Sequence, residues 1–337
     1  MKKRIPFTLA AVFIVAAAVT VLFSLKTAAL TATYDVYIQG QQVTSDHLSG
    51  DGWSFDPESY TLTLNGAELG TGGKYIDNVA GNTNHYAIIY VGNKVHLTIR
   101  SEGSKENVIG DQTYADNPTE GKNVYYGIYS RAGNITITGS APLMVYGNEY
   151  AISVNGMSVD HDASVIGKNG VRGVYVHGYT GAIDTSGLTL YNNSVVKAYT
   201  GHAGVGYLGC AISAGKVKVY GHSNLYAEAE RDDQTTKPRV SAIHCSQLLD
   251  VSGGNVTAVC ISGGKKTEDG AVACYGIYTP KVQINNNGVV EAYIKNLTRS
   301  NYKSGWVIDN HTAGSLILNF KGAGTIRAGI QMKRPDG

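Results

Sequence analysis

The sequence predicts an all-β chain folded as a right-handed parallel β-helix, and three observations carry that reading. The composition is rich in Gly (42) and Tyr (23) and poor in Pro (7). No stretch after residue 32 keeps a helical apolar period for three turns,. Two short strand phrases recur in fixed order along the chain, separated by Gly/Asn turns,.

The first residues set the compartment. Lys2, Lys3 and Arg4 precede an uncharged, largely apolar run from Phe7 to Leu25, closed by Lys26. With Ala28, Ala29 and Ala32 behind it, residues 1–32 read as a signal peptide or membrane anchor,. At 19 residues the run exceeds a usual signal core and approaches the length of a membrane-crossing helix, so cleavage and retention both stay open,. The expected location is extracellular or on the cell surface, with membrane contact only through this segment. Removing residues 1–32 takes four of the 28 basic residues and none of the 26 acidic ones, leaving a net charge of −2. The remaining basic residues form no run, which excludes a nucleic-acid footprint,.

Residues 33–60 read as an N-terminal cap. Tyr34–Val43 alternates around Gly40 like a hairpin, and Asp56-Pro57-Glu58-Ser59 suits a turn,. A stack of coils has an open edge that must be covered. Tyr60 enters the first coil, and residues 61–337 form the β-helix.

Within the helix the first phrase is a small residue followed by Ile or Val. It occurs as AIIY at Ala87, GIYS at Gly127, AISV at Ala151, GVYV at Gly173, AISA at Ala211, AIHC at Ala242 and GIYT at Gly276, with WVID at Trp306 as its last member. The second phrase is an alternating strand, a short turn and another strand, as in Leu188-Thr-Leu, NNS, Val195-Val-Lys-Ala. Its copies start 22 to 40 residues apart, and residues 112–124 and 230–239 read as loops thrown out between them. One such coil cannot bury its own apolar face; stacking at about 4.8 Å buries Ile on Ile along the axis. The right hand follows the rule for parallel crossovers.

The phrases WSFDPESYTLTLNGA, AIIYVGNKVHLTIRSEGSKENVIGD and GIYSRAGNITITGSAPLMV resemble a set of surface proteins of Gram-positive anaerobes, the carbohydrate-binding domain-containing β-helix proteins. The similarity covers nearly all of residues 34–330 and rests on repeat phrasing, so no binding residue carries over position by position. It implies a lyase-like parallel β-helix that binds acidic plant polysaccharide, in some relatives with calcium. The partner expected is therefore a polysaccharide or cell-surface glycan. WVIDNH, from Trp306 to His311, is similar to the WIDH phrase of pectate lyases. Asn310 interrupts it, no RxPxxR motif accompanies it, and the repeat already demands a strand there.

Among candidate sites, Asp160 and Asp162 in VDHD could ligate a divalent ion, but they fall where other coils make turns,. No GxSxG, HExxH or P-loop occurs,. Cys210, Cys245, Cys260 and Cys274 are read either as buried thiols or as two disulfides,. The binding candidates are Tyr129, Tyr175, His244 and Tyr278, which follow the core position and so face outward. Gly127, Gly173, Ala242 and Gly276 precede it and are expected to form a floor beside them. Tyr86, Tyr126, Tyr150 and Tyr275, one place earlier still, face inward or sit at a corner. The function expected is a non-catalytic polysaccharide-binding or adhesion module. A display or spacer scaffold and a pectate-lyase-type enzyme are the alternatives.

Overall fold

The computed structural model describes residues 31–70, 72–79, 83–111, 123–148, 150–160, 164–170, 179–203, 208–231, 239–261, 273–297, 305–309 and 316–332. All the regular structure in these residues is β. The expected export segment lies outside them except for Thr31 and Ala32, and so do 112–122 and 232–238, the bulk of the two expected loops.

Parallel strands stack in register to form a β-solenoid. One sheet holds nine strands, from Glu68–Leu69 through Asn107–Ile109 and Leu143–Gly147 to Gly324–Met332. The other holds 18, including the cap strands. Its long strands, such as Leu208–Tyr220 and Arg239–Ser252, carry the first phrase and the start of the second without a break.

Isoleucine makes the spine of the stack. Ile89, Ile128, Ile152, Ile183, Ile212, Ile243, Ile277 and Ile308 pair one on the next. All but Ile308 are fully buried. A second inward column runs through Leu97, Ile135, Met157, Leu188, Val217, Leu249 and Val282. Facing these, the nine-strand sheet offers Leu143, Val165, Val196, Leu225, Val256 and Val290. β-branched side chains suit this arrangement because a fixed rotamer repeats from coil to coil.

The pairing register corrects one sequence alignment. Ile152 pairs with Ile183 and Ile183 with Ile212. The coil between those of Ala151 and Ala211 therefore uses Ala182-Ile183-Asp184 as its first phrase, not GVYV. Gly173 and Tyr175 lie outside the described residues.

The small residues before each Ile are not an external floor. Ladder pairing skips them: Tyr126 pairs with Ala87 and Ile128 with Ile89, while Gly127 and Ile88 stay unpaired. The strand turns a corner there, and the small residue points into the core. A Cβ on Gly127 would sit 2.4 Å from Val145 Cγ1, and one on Gly276 would sit 3.1 Å from Ala292 Cβ. Ala151, Ala182, Ala211 and Ala242 at the same corner are fully buried. The opposing sheet comes so close that only Gly and Ala fit at most of these corners.

The N-terminal segment closes the first edge with antiparallel strands. Thr33–Ile38 and Gln41–Thr44 form a hairpin whose two-residue turn, Gln39-Gly40, has φ of 49° and 81°. Positive φ at both central residues is the turn whose twist matches a hairpin. Thr33–Ile38 then pairs with Thr83–Val91, and Trp53–Asp56 with Thr61–Asn65. Trp53 and Phe55 are buried, so the cap adds to the core as well as pairing edge N–H and C=O groups,.

Candidate functional site

The residue after each core Ile faces outward, and register lines these residues up as a row. From the N-terminal end it runs Tyr90, Tyr129, Ser153, Asp184, Ser213, His244, Tyr278 and Asp309. Three of the four expected binding residues thus share one row. The fourth place, expected for Tyr175, is held by Asp184.

The corner folds a second column of side chains against this row, and the seam between them is the candidate groove. Residues three apart in a flat strand point to opposite faces. Here the bend brings them together: Tyr126 meets Tyr129 with ring centroids 4.9 Å apart, and Tyr275 meets Tyr278 at 4.7 Å. The second wall is therefore the column Tyr126, Tyr150, Gly181, Cys210, Ser241 and Tyr275. Tyr126, Tyr150 and Tyr275 sit at the corner; Tyr86 pairs with Tyr125, one place earlier in the strand.

Access to the row changes along its length. Tyr90, Tyr129, Ser153 and Asp184 are half-buried. Ser213, His244 and Tyr278 are only 8%, 3% and 5% exposed. The outward direction expected of His244 and Tyr278 holds, but their exposure does not. The two rings stack on each other at 5.6 Å, with 28° between their planes. At the open end Tyr90 and Tyr129 stack at 6.2 Å and 26°, and Tyr37 meets Tyr90 edge-on at 5.7 Å. Lys74 Nζ lies 4.5 Å above the Tyr37 ring,.

Asp184 is the polar centre of the groove. Its carboxylate accepts hydrogen bonds from Ser213 and Ser153, on the coils either side, while burial raises its pKa above the usual carboxylate value,. Beside it the second wall narrows to Gly181, where a Cβ would lie 1.8 Å from the Cys210 carbonyl oxygen. Where neighbouring coils place Tyr150 and Cys210, this coil has no side chain. At Asp184 the wall is thus closed by the Cys210 backbone rather than by a side chain.

Cys210 is not poised as a nucleophile. The Cys210 thiol, which accepts a hydrogen bond from Ser241 Oγ at 3.3 Å, has its pKa pushed up to about 12, chiefly by burial. A reactive cysteine needs the opposite shift. All four cysteines are free and buried, which settles the choice between thiols and disulfides. Asp160 accepts a hydrogen bond from Asn192 Nδ2 at 2.7 Å beside a turn, and Asp162 lies outside the described residues. Among the described residues no three His, Cys, Asp or Glu side chains gather as a metal site would require. Gly305–Asp309 is a strand of the stack, and its Asp309 ends the row.

A separate open groove of about 680 Å³ lies at another corner, lined by Thr98, Arg100, Glu102, Thr138 and Ser140. It offers no aromatic ring, and Arg100 Nε faces Glu102 at 3.8 Å. The Tyr90–Asp184 segment combines flat rings with a carboxylate and is the better candidate. Ala182-Ile183-Asp184 matches AIS and AIH in the sequence, but GVYV at Gly173 matches the phrase as well. Compared with protein-family models, curated proteins and solved structures, the chain matches none of them.

Proposed function

We propose that this chain is an exported, non-catalytic polysaccharide-binding module whose ligand lies along the Tyr90–Asp184 segment of the groove. The observation that carries this reading is the pair of half-buried, stacked tyrosines, Tyr90 and Tyr129, leading onto Ser153 and Asp184 in one row. Flat rings with a hydroxyl suit sugar faces, combining apolar burial with a polar handle. A hydroxyl and a carboxylate farther along can then take the sugar's own hydroxyls. The spacing of carboxylates supports binding over bond cleavage. Asp184 and Asp309 are four rungs apart, about 19 Å at the strand spacing, whereas a glycosidase pair sits within about 10 Å.

The test is a glycan array probed with the purified chain, with and without a chelator, and with a Tyr90→Ala/Tyr129→Ala variant. Each ring is worth about 1–2 kcal/mol of apolar burial. Losing both should weaken binding about tenfold or more while the variant still melts cooperatively. Binding that persists undiminished in that variant counts against the site, and release of unsaturated uronides from pectin counts for the lyase alternative.

A further inference from the structure

We propose that the groove takes a short stretch of neutral, hydroxyl-rich sugar that ends at Asp184, whose carboxylate accepts hydroxyls of the last ring. This deepens the polysaccharide-binding reading and rests on it. Three observations lead here, the first being the change in access along the row. It is half-buried from Tyr90 to Asp184 and nearly closed from Ser213 to Tyr278. The open segment covers three steps, about 14 Å at the strand spacing, or room for about three or four sugar rings.

The second observation is the closed wall at Gly181. Tyr126 and Tyr150 form the second wall on the two preceding coils, and at Gly181 the Cys210 carbonyl oxygen closes it, 1.8 Å from where a Cβ would lie. A ring leaving the tyrosine platform would therefore meet the half-buried carboxylate with a closed groove ahead.

The third observation is charge. At the Asp184 end the described lining is Ser153, Ser213, Tyr150, Gly181 and Cys210, with no basic side chain among them. The described basic groups of the groove, Arg131 near Tyr90 and Lys74 over Tyr37, stand at the far end together with Asp35. A uronate ring at Asp184 would set carboxylate against carboxylate in a half-buried site, where like charges repel strongly. A neutral ring would instead donate its hydroxyls to an acceptor already held in place by Ser153 and Ser213,.

The experiment is an array of neutral and uronic-acid oligosaccharides of graded length, from one sugar to about eight, chosen to straddle the open segment. It is probed with the full chain, with Asp184→Asn and Asp184→Ser, and with the Tyr90→Ala/Tyr129→Ala variant. Expected is binding of neutral oligosaccharides that strengthens up to about four sugars and then levels off. Both Asp184 variants should lose about tenfold or more, since the charge that strengthens the hydrogen bond is removed. Two variants of different size guard against a folding defect in one, and thermal melting checks both. Binding of uronic-acid oligosaccharides as tight as neutral ones overturns the inference and leaves the binding module standing. So does unchanged affinity in both Asp184 variants, or affinity that keeps climbing past six sugars. Failure of every oligosaccharide to bind, or binding indifferent to Tyr90 and Tyr129, overturns the binding module and this inference with it.

Discussion

Asp184 is held where a carboxylate is costly, between two serines on the wall of a groove. Its pKa is raised by burial, so the folded chain binds more protons than the unfolded one between the ordinary aspartate value, about 3.9, and the folded value,. Stability from this group is therefore complete below the unfolded value and is lost as pH rises through the folded one. Asp184→Asn cannot ionise and should escape the loss. Melting curves of the two proteins from about pH 3 to 7 are expected to diverge in favour of the variant as pH rises, and parallel curves would refute the assignment. Asp184 was not legible because the segment 171–178 offers a competing copy, GVYV, that fits the phrase as well as AIDT does. A repeat defined by two small or apolar letters cannot choose between them; only the pairing of Ile183 with Ile152 and Ile212 can.

At the scale of the strand, the corner explains what simple alternation missed. Period two assigned Gly127, Ala242 and Gly276 to the outside because it took each first phrase as one straight strand. The bend reverses the side on which the preceding residues fall, sending the small residue inward and bringing Tyr126 beside Tyr129. Ile128, Ile243 and Tyr278 were placed on their proper sides, since they lie on the straight part after the bend. Gly127 tests the corner directly. Gly127→Ala would press a methyl into Val145 and against the Ala151 and Tyr146 carbonyl oxygens, both 2.8 Å away. Overpacking of this kind costs about 1–3 kcal/mol, which chemical denaturation will read as a lower midpoint. Wild-type stability in that variant would mean the strand does not bend there.

For the molecule as a whole, the architecture was the most legible feature, because stacking copies one set of demands onto every coil. Ile on Ile, a turn of Gly or Asn, and an alternating strand recur whatever a coil carries on its outside. The two ends differ. The N-terminal end is closed by the antiparallel strands Thr33–Ile38 and Trp53–Asp56. Deleting residues 33–60 would strip pairing partners from Thr83–Val91 and Thr61–Asn65 and uncover Leu62 and Ile89 beneath. Edge strands laid bare over an apolar interior associate. Such a deletion is expected to elute as oligomers in light-scattering chromatography where the parent chain does not, and a monomeric product would show that the hairpin has no sealing role.

At the opposite end the last described coil leaves Leu318 and Phe320, at the inward positions that Val282 and Ile284 occupy one coil earlier, 49% and 47% exposed. A stack whose described seal lies beside the tyrosine platform, with exposed apolar side chains at the far end, behaves like a tally on which marks are added from one side. Length can vary at the Phe320 end by whole coils without disturbing the tyrosine platform, which sits next to the seal. The groove would keep its entrance and its first rungs in long and short versions alike, so recognition and reach could be tuned apart.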